Sequence, residues 1–416
     1  MSLRFAHVTT FYPPHNFGGD GIGIQRLVRA LARRGHHNTV IYPADAYAVL
    51  SGRDPEPAPA EPNVETIALR SSLPKLSLLL TQQFGRPVSH AARLRELLED
   101  GRFDVINYHN VSLAGGPVVW SYGRGVKLDF AHEHWLVCPS HVLWRHNREL
   151  CTGRECVRCQ LAFRRPPQLW RHTSMLERYG RHIDAFVAMS EFSRAKHREF
   201  GFPFDMEVLP YFLPDAPPAA PPAKRLHERP YFFFVGRLEK LKGLDDVLPL
   251  FREVRDADLL IAGAGEYESH LRSLAQGLEN VRFLGRVSND DLAAYYAGCE
   301  ALLVPSVCFE TFGIILIEAF RAGAPVIARR LGPFPEIVES SGGGELFSDR
   351  SELLAAMRRI QSDPERRARL ADAGRRAFEA RWSESVVLPR YLALVEERLA
   401  RRGKREPAPP VAVERR

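Results

Sequence analysis

Lysine is nearly absent from this chain: of 57 basic residues, only those at 75, 127, 196, 224, 240, 242 and 404 are lysine, and the rest are arginine. Long apolar runs are absent too. None approaches the roughly 20 residues needed to span a bilayer, and Met1–Phe5 leads straight into a strand-like segment without the apolar stretch and small-residue cleavage site of a leader. The expected address is the cytosol. Internal repeats are not apparent, which excludes solenoids and propellers. The net charge of +7 comes without zinc-finger spacing, an RNP aromatic pattern or a dense basic block outside the tail, so nucleic acid is not the expected partner. An anionic small molecule or a membrane surface accounts for the charge instead.

At 416 residues the chain exceeds one hydrophobic core, because single cores stop growing at about 250–300 residues. Short apolar runs alternate with amphipathic stretches, the pattern of parallel sheets with crossover helices. Strands are expected at 4–10, 38–42, 105–109, 127–132 and 185–189, with a helix over 21–34 and a proline-rich loop at 54–62. The Pro/Ala segment 213–230 supports neither a strand ladder nor a helix interior. Beyond it the alternation restarts, with strands at 231–235, 259–262, 282–284, 301–304 and 325–328. The predicted division is a first domain at 1–205, a second at 206–384, an amphipathic helix at 385–402 and a Pro-rich, charged, disordered tail at 403–416. Two doubly wound α/β domains place ligands at the carboxyl ends of their strands, so the expected site is the cleft between them.

Among the strand-to-helix loops the strongest signal is Glu310-Thr311-Phe312-Gly313-Ile314-Ile315-Leu316-Ile317-Glu318. A helix from near Gly313 to Gly323 would be apolar on nearly every side except at Glu318, whose carboxylate wants a hydroxyl-bearing or positively charged partner. The free N–H groups at 312–314 suit a phosphate. Taken singly, Glu310 fits a helix-start acid and Glu318 a surface rim equally well. Gly236-Arg237-Leu238-Glu239-Lys240-Leu241-Lys242-Gly243 directly follows the strand 231–235. Its glycines permit a tight loop on which Arg237 and Lys242 can converge on one anion, against the plainer reading of solvated loop charge. Gly263-Ala264-Gly265-Glu266 and Gly285-Arg286-Val287-Ser288 follow the next two strands. In the first half, Gly18-Gly19-Asp20-Gly21-Ile22-Gly23 lies out of the register of a dinucleotide fingerprint, and His132 ends the strand 127–132.

The E-x7-E spacing after Pro305-Ser306 resembles the signature of glycosyltransferase family 4, retaining enzymes of the GT-B fold. The G-R-x4-K-G loop, the G-x-G loop at 263–265, the loop at 285–288 and the G-G loop after the first strand resemble that family in order and spacing, over roughly residues 4–395. The resemblance implies two Rossmann-like domains facing a cleft, the first on the acceptor side and the second binding a nucleotide-diphosphate sugar, with the C-terminal helix crossing back to the first. It implies that Arg237 and Lys242 neutralise the departing diphosphate, that Glu310 holds the transferred sugar and that His132 touches it. It further implies donor contacts from Gly18, Gly19, Gly236, Gly265, Arg286, Val287, Thr311, Phe312, Gly313, Ile314 and Glu318, the last to the ribose hydroxyls. His132-Glu133-His134 departs from the H-D frequent in the family. Electrostatic stabilisation of the leaving group requires no metal cofactor. The acceptor would be a glycan, a lipid-linked saccharide or a small molecule. A GT-B nucleotide-sugar epimerase and a non-catalytic nucleotide-sugar-binding protein are the rival readings.

Four of the six cysteines, Cys138, Cys151, Cys156 and Cys159, fall in one insertion at 138–159. In a cytosolic chain this favours a structural zinc held by four thiolates over disulfides, with free or redox-paired thiols as the alternative. Two basic stretches, Arg164–Arg171 and the first helix with Arg26, Arg29, Arg33 and Arg34, offer faces for peripheral contact with anionic lipid, or are ordinary solvated surface.

Overall fold

The computed structural model describes residues 2–56, 59–215 and 226–403; the tail from 404 and most of the Pro/Ala segment lie outside the described residues. The first sheet contains β1 (Arg4–Val8), β2 (His37–Pro43), β3 (Val64–Leu69), β4 (Val105–Tyr108) and β5 (Val126–Ala131). A small hairpin of β6 (Trp144–Arg145) and β7 (Glu149–Leu150) follows, and β8 (Ala185–Ala188) and β9 (Met206–Val208) complete the sheet in the order β3-β2-β1-β4-β5-β8-β9, parallel throughout. The second sheet is also parallel, in the order β12-β11-β10-β13-β14-β15. Its strands are β10 (Tyr231–Val235), β11 (Asp258–Ala262), β12 (Val281–Gly285), β13 (Leu302–Val304), β14 (Val326–Arg329) and β15 (Gly344–Phe347).

β4, β5, β8 and β11 are buried at every position, as strands covered by helices on both faces must be. Five strands are absent from the predicted set: β6 and β7 form the small hairpin, and β3, β9 and β15 lie at sheet edges, where short or half-polar sequences carry little apolar signal. β9 also moves the first domain's end past the predicted boundary at 205, since Met206–Val208 pairs with β8.

The strand order reverses between β1 and β4 in one sheet and between β10 and β13 in the other. The loops leaving these strands at their carboxyl ends therefore face the crevice where doubly wound sheets bind ligands. One apolar core runs through both domains, joining Phe5, Phe130 and Tyr391 to Phe233, Phe320 and Trp382. The C-terminal helix Glu384–Gly403 returns to the first domain: Asn107 Nδ2 on β4 donates to Tyr391 Oη at 2.7 Å, and Arg398 pairs with Glu207 at 2.5 Å. Among the described residues no helix is long and apolar enough to cross a membrane.

Candidate active site

In the second domain, the loops after β10, β11 and β12 are laced by their own backbones. Gly236 N donates to Ala262 O, Leu238 N to Ala264 O and Gly263 N to Gly285 O. Gly263 has φ +139°, and a Cβ there would sit 1.9 Å from Gly236 O, so this approach requires glycine. The chain then turns through Lys240–Lys242, and Val307 N donates to Leu241 O, drawing that turn onto the loop after β13. There Lys242 Nζ donates to Glu310 Oε1 at 2.6 Å, and Ser306 Oγ lies 3.3 Å from the same oxygen. Burial opposes charge on Lys242, but Glu310 more than offsets it and keeps the ammonium above the ordinary lysine range. Arg237 is more exposed and pairs with Glu239 at 2.7 Å. Arg286 and Val287 follow β12, Arg286 exposed at the surface.

The E-x7-E segment is less regular than predicted. Gly313 caps the helix in the left-handed region at φ +102°, and the helix itself spans Ile314–Arg321. Glu318, the polar exception on it, has the two kinds of partner its setting demands: Arg26 Nη2 of the first domain 2.8 Å from Oε1, and the Tyr296 hydroxyl 3.0 Å from Oε2. Arg26 thus belongs to the cleft rather than to a free basic face. Its helix neighbours Arg29 and Arg33 are also engaged, with Glu61 and Glu384, which removes most of the membrane face expected on the helix Gly19–Arg33.

The first domain meets this helix start closely. Gly18 precedes the helix Gly19–Arg33, and a Cβ on Gly19 would lie 3.4 Å from Ile314 Cδ1. Thr311 Oγ1 donates to the main-chain oxygen of His132 at 2.7 Å, while Ser190 Oγ donates to Thr311 O at 2.7 Å. Gly18, Gly19, His132, Thr311, Phe312, Gly313 and Ile314 therefore gather where the domains touch, with Phe312 buried and its ring 5.8 Å from that of Tyr211.

The His132 imidazole is occupied differently from the sugar contact its resemblance implies. Its Nε2 lies 2.9 Å from His109 Nδ1 and its Nδ1 2.5 Å from the Tyr211 hydroxyl. His109 Nε2 continues to His7 Nδ1 at 3.2 Å, and His7 Nε2 to Asn38 Oδ1 at 3.2 Å. Asn38 Nδ2 donates to His36 O, which leaves Oδ1 as the acceptor facing His7. Each histidine then donates through Nε2 and accepts through Nδ1, and His132 Nδ1 accepts from Tyr211. Burial pushes His7 down to about 4 and His132 to about 3, and His109 well below its ordinary value, so the row is neutral. In this geometry His132 positions Tyr211 and the helix start.

Residues 219–377 match the family described as glycosyl transferases group 1, and residues 18–211 match the glycosyl transferase 4-like domain. The lipopolysaccharide core biosynthesis glycosyltransferase LpsD of Rhizobium meliloti is 30% identical over 54% of this chain and 67% of its own length. The chain belongs to this glycosyltransferase family. A GDP-mannose-dependent monoacylated alpha-(1-6)-phosphatidylinositol monomannoside mannosyltransferase of Corynebacterium glutamicum is 30% identical over 53% of this chain and 64% of that protein, so the match spans under two thirds of it. The sucrose-phosphate synthase structure from Thermosynechococcus elongatus superposes with a TM-score of 0.74 at 20% identity, covering 96% of this chain and 100% of that one, a likeness of GT-B fold.

This glycosyltransferase cleft also contains residues that motif reading missed. Tyr211, Tyr296 and Arg26 carry no motif, and only the unpartnered Glu318 hinted that something must answer it. Asp20, inside the glycine loop, is pushed up to about 6, by burial first and then by the nearby Glu133 carboxylate, against Gly21 N–H and Arg237. Glu133 itself accepts from Asn110 Nδ2 and pairs with His141, each at 2.6 Å. The signal for Asp20 was present in Gly19-Asp20-Gly21, a carboxylate amid bare backbone.

The four insertion cysteines line one cavity of about 20 Å³ beside the β6–β7 hairpin, and none is bridged. Cys138 Sγ faces Ser140 Oγ, Cys151 Sγ faces Gly153 O and Cys159 Sγ faces Trp144 O. Among the described residues no three candidate ligands converge as a metal ion requires. Burial pushes the thiols of Cys151, Cys156 and Cys159 up.

Proposed function

We propose that the chain transfers a sugar from a nucleotide-diphosphate donor to a lipid-linked saccharide, with retention of anomeric configuration. The observation that carries this reading is the Lys242–Glu310 pair, held at the start of the helix Ile314–Arg321 and opposite the Gly18–Asp20 loop. As the donor C1–O bond breaks, negative charge grows on the diphosphate. In this reading Lys242, Arg237 and the N–H groups at the helix start meet that charge as it develops and stabilise it with little reorganisation. Among the described residues Glu310 Oε2 takes no hydrogen bond, which leaves it to accept from a hydroxyl of the transferred sugar. Glu318, steadied by Arg26 and Tyr296, offers its remaining lone pairs to the ribose diol. The acceptor hydroxyl attacks C1 from the face the diphosphate leaves, and its proton passes to a departing phosphate oxygen. The mannosyltransferase and LpsD relatives, by their names, act in phosphatidylinositol mannoside and lipopolysaccharide core synthesis, which supports a lipid-linked acceptor.

Arg237→Ala and Lys242→Ala should lower turnover by roughly 10²–10³-fold with a smaller effect on donor affinity, because the charge they meet grows toward the transition state. Nucleoside diphosphate should appear only when acceptor is present. Interconversion of the donor alone would mark an epimerase, and binding without release a non-catalytic protein. Folded variants with wild-type turnover would remove the assignment.

A further inference from the structure

The helix Pro74–Phe84 is built inside out. It buries Ser77 and Thr81, each 4% exposed, together with Leu78, while Leu76 and Leu79 on the same helix are 49% and 44% exposed. Leu73 just before it, Phe84 at its end and Val88 beyond are exposed as well. Burying small hydroxyls and presenting leucines to water costs free energy that a solvated surface does not return. The patch continues onto a second segment. Trp170 packs over Gly85, where a Cβ would lie 2.7 Å from its Cγ, and Trp170 Nε1 donates to Gln82 O at 3.1 Å. Beside it Leu169 is 55% exposed, and Leu161 is exposed on the same segment.

Charge along this patch is mainly of one sign, with the exposed Glu155 and Glu177 just beyond it. Residues 71–90 and 156–176 contain no aspartate or glutamate, whereas 41 residues at the chain's average would carry about five. Lys75, Arg86, Arg164 and Arg165 are exposed there, and among the described residues none of the four is ion-paired with a carboxylate. Elsewhere the first-domain arginines Arg26, Arg29 and Arg33 are all paired.

We infer that this face, the helix Pro74–Phe84 with the segment around Leu169, docks on an anionic lipid surface, its leucines in the acyl boundary and its unpaired cations among the headgroups. An apolar stripe flanked by cations that no carboxylate pairs matches an anionic bilayer. This deepens the reading of a lipid-linked acceptor and is tested separately from it, since vesicle binding needs neither donor nor turnover. The full chain is sedimented with vesicles of phosphatidylcholine alone or mixed with phosphatidylglycerol, at low and high salt. Wild type should bind the mixed vesicles, less at high salt, and stay in the supernatant with the neutral ones. Arg164→Ser with Arg165→Ser should weaken binding about tenfold or more, and Leu76→Ser with Leu79→Ser should abolish it. All four positions are exposed, so both variants should keep the wild-type melting temperature and wild-type turnover on a water-soluble acceptor. Equal recovery in the supernatant with both vesicle types would overturn the inference. So would a dimer in solution that Leu76→Ser with Leu79→Ser dissociates, which would assign the face to a second copy.

Discussion

Acid should unfold this protein well above the pH at which carboxylates usually give way. His7, His134 and His197 are fully buried, and burial pushes them down to about 4, 3 and 4. A histidine held neutral in the fold binds fewer protons than its unfolded counterpart. Its contribution is therefore complete above an unfolded pKa of about 6.5 and is lost as pH falls toward the folded value. At pH 5 an unfolded histidine is nearly fully protonated and these three nearly fully neutral, a difference of roughly 0.9 proton each. His132, partly open to the cleft and pushed to about 3, adds to this. Asp20 acts oppositely: raised to about 6, it takes a proton in the fold before the unfolded chain does and offsets close to one. The net is roughly 2 to 3 protons, or about 3–4 kcal/mol of stability lost per pH unit near pH 5. Against a total of about 5–15 kcal/mol, one to two units of acidification should be decisive. Urea midpoints at pH 7, 6, 5.5 and 5 read this directly, and His7→Gln should reduce the slope by the share of one proton. Stability that stays flat from pH 7 to 5 would refute the reasoning.

Glu318→Ala should weaken donor binding by roughly 1.5–3 kcal/mol, read by calorimetry with the nucleoside diphosphate. Combining it with Arg26→Ala should show coupling of about 0.5–1 kcal/mol in stability, because the two side chains form a pair only about a fifth exposed. Gly263→Ala should cost about 2–5 kcal/mol, from a Cβ that meets Gly236 O and an unfavourable φ. Gly277→Ala, with φ +77° and nothing within 4 Å, should cost only about 1–2 kcal/mol. For the insertion we propose one structural zinc that draws the four thiols inward from their present partners: elemental analysis should find one zinc per chain, and four native titratable thiols without zinc would leave them as free cysteines.

Much of the architecture was legible because buried parallel strands announce themselves. Tyr231–Val235 and Asp258–Ala262 are short apolar runs followed by glycine, and both are fully or almost fully buried. The strands that escaped notice are those whose position, not composition, makes them strands. Val64–Leu69 alternates exposed Glu65 and Thr66 with half-buried neighbours, and only its pairing with β2 holds it extended. The end of the first domain was misplaced for the same reason, since Met206–Val208 has no signal apart from β8 beside it.

The site was legible in its charges but not in their partners. Glycine loops at fixed spacing expose Lys242, Glu310 and Glu318 in the sequence, yet a charge in a cleft is defined by what answers it, and each answer comes from far along the chain. Glu318 is held by Arg26, 292 residues away, and Glu310 by Lys242, 68 residues away. The family resemblance aims His132 at the transferred sugar, whereas in the structure its ring nitrogens face His109 and Tyr211, the row stepping from His7 on β1 to His109 just past β4 and His132 just past β5. Pairing has a chemical consequence. A cation already neutralised by Glu310 gains less from a ground-state diphosphate than a bare one would. In the proposed transfer, charge separates between the sugar and the leaving group as the bond breaks, and the fixed Glu310 and Lys242 then each face charge of the opposite sign. The pair thus withholds part of its attraction until the bond is breaking, which favours turnover over tight donor binding.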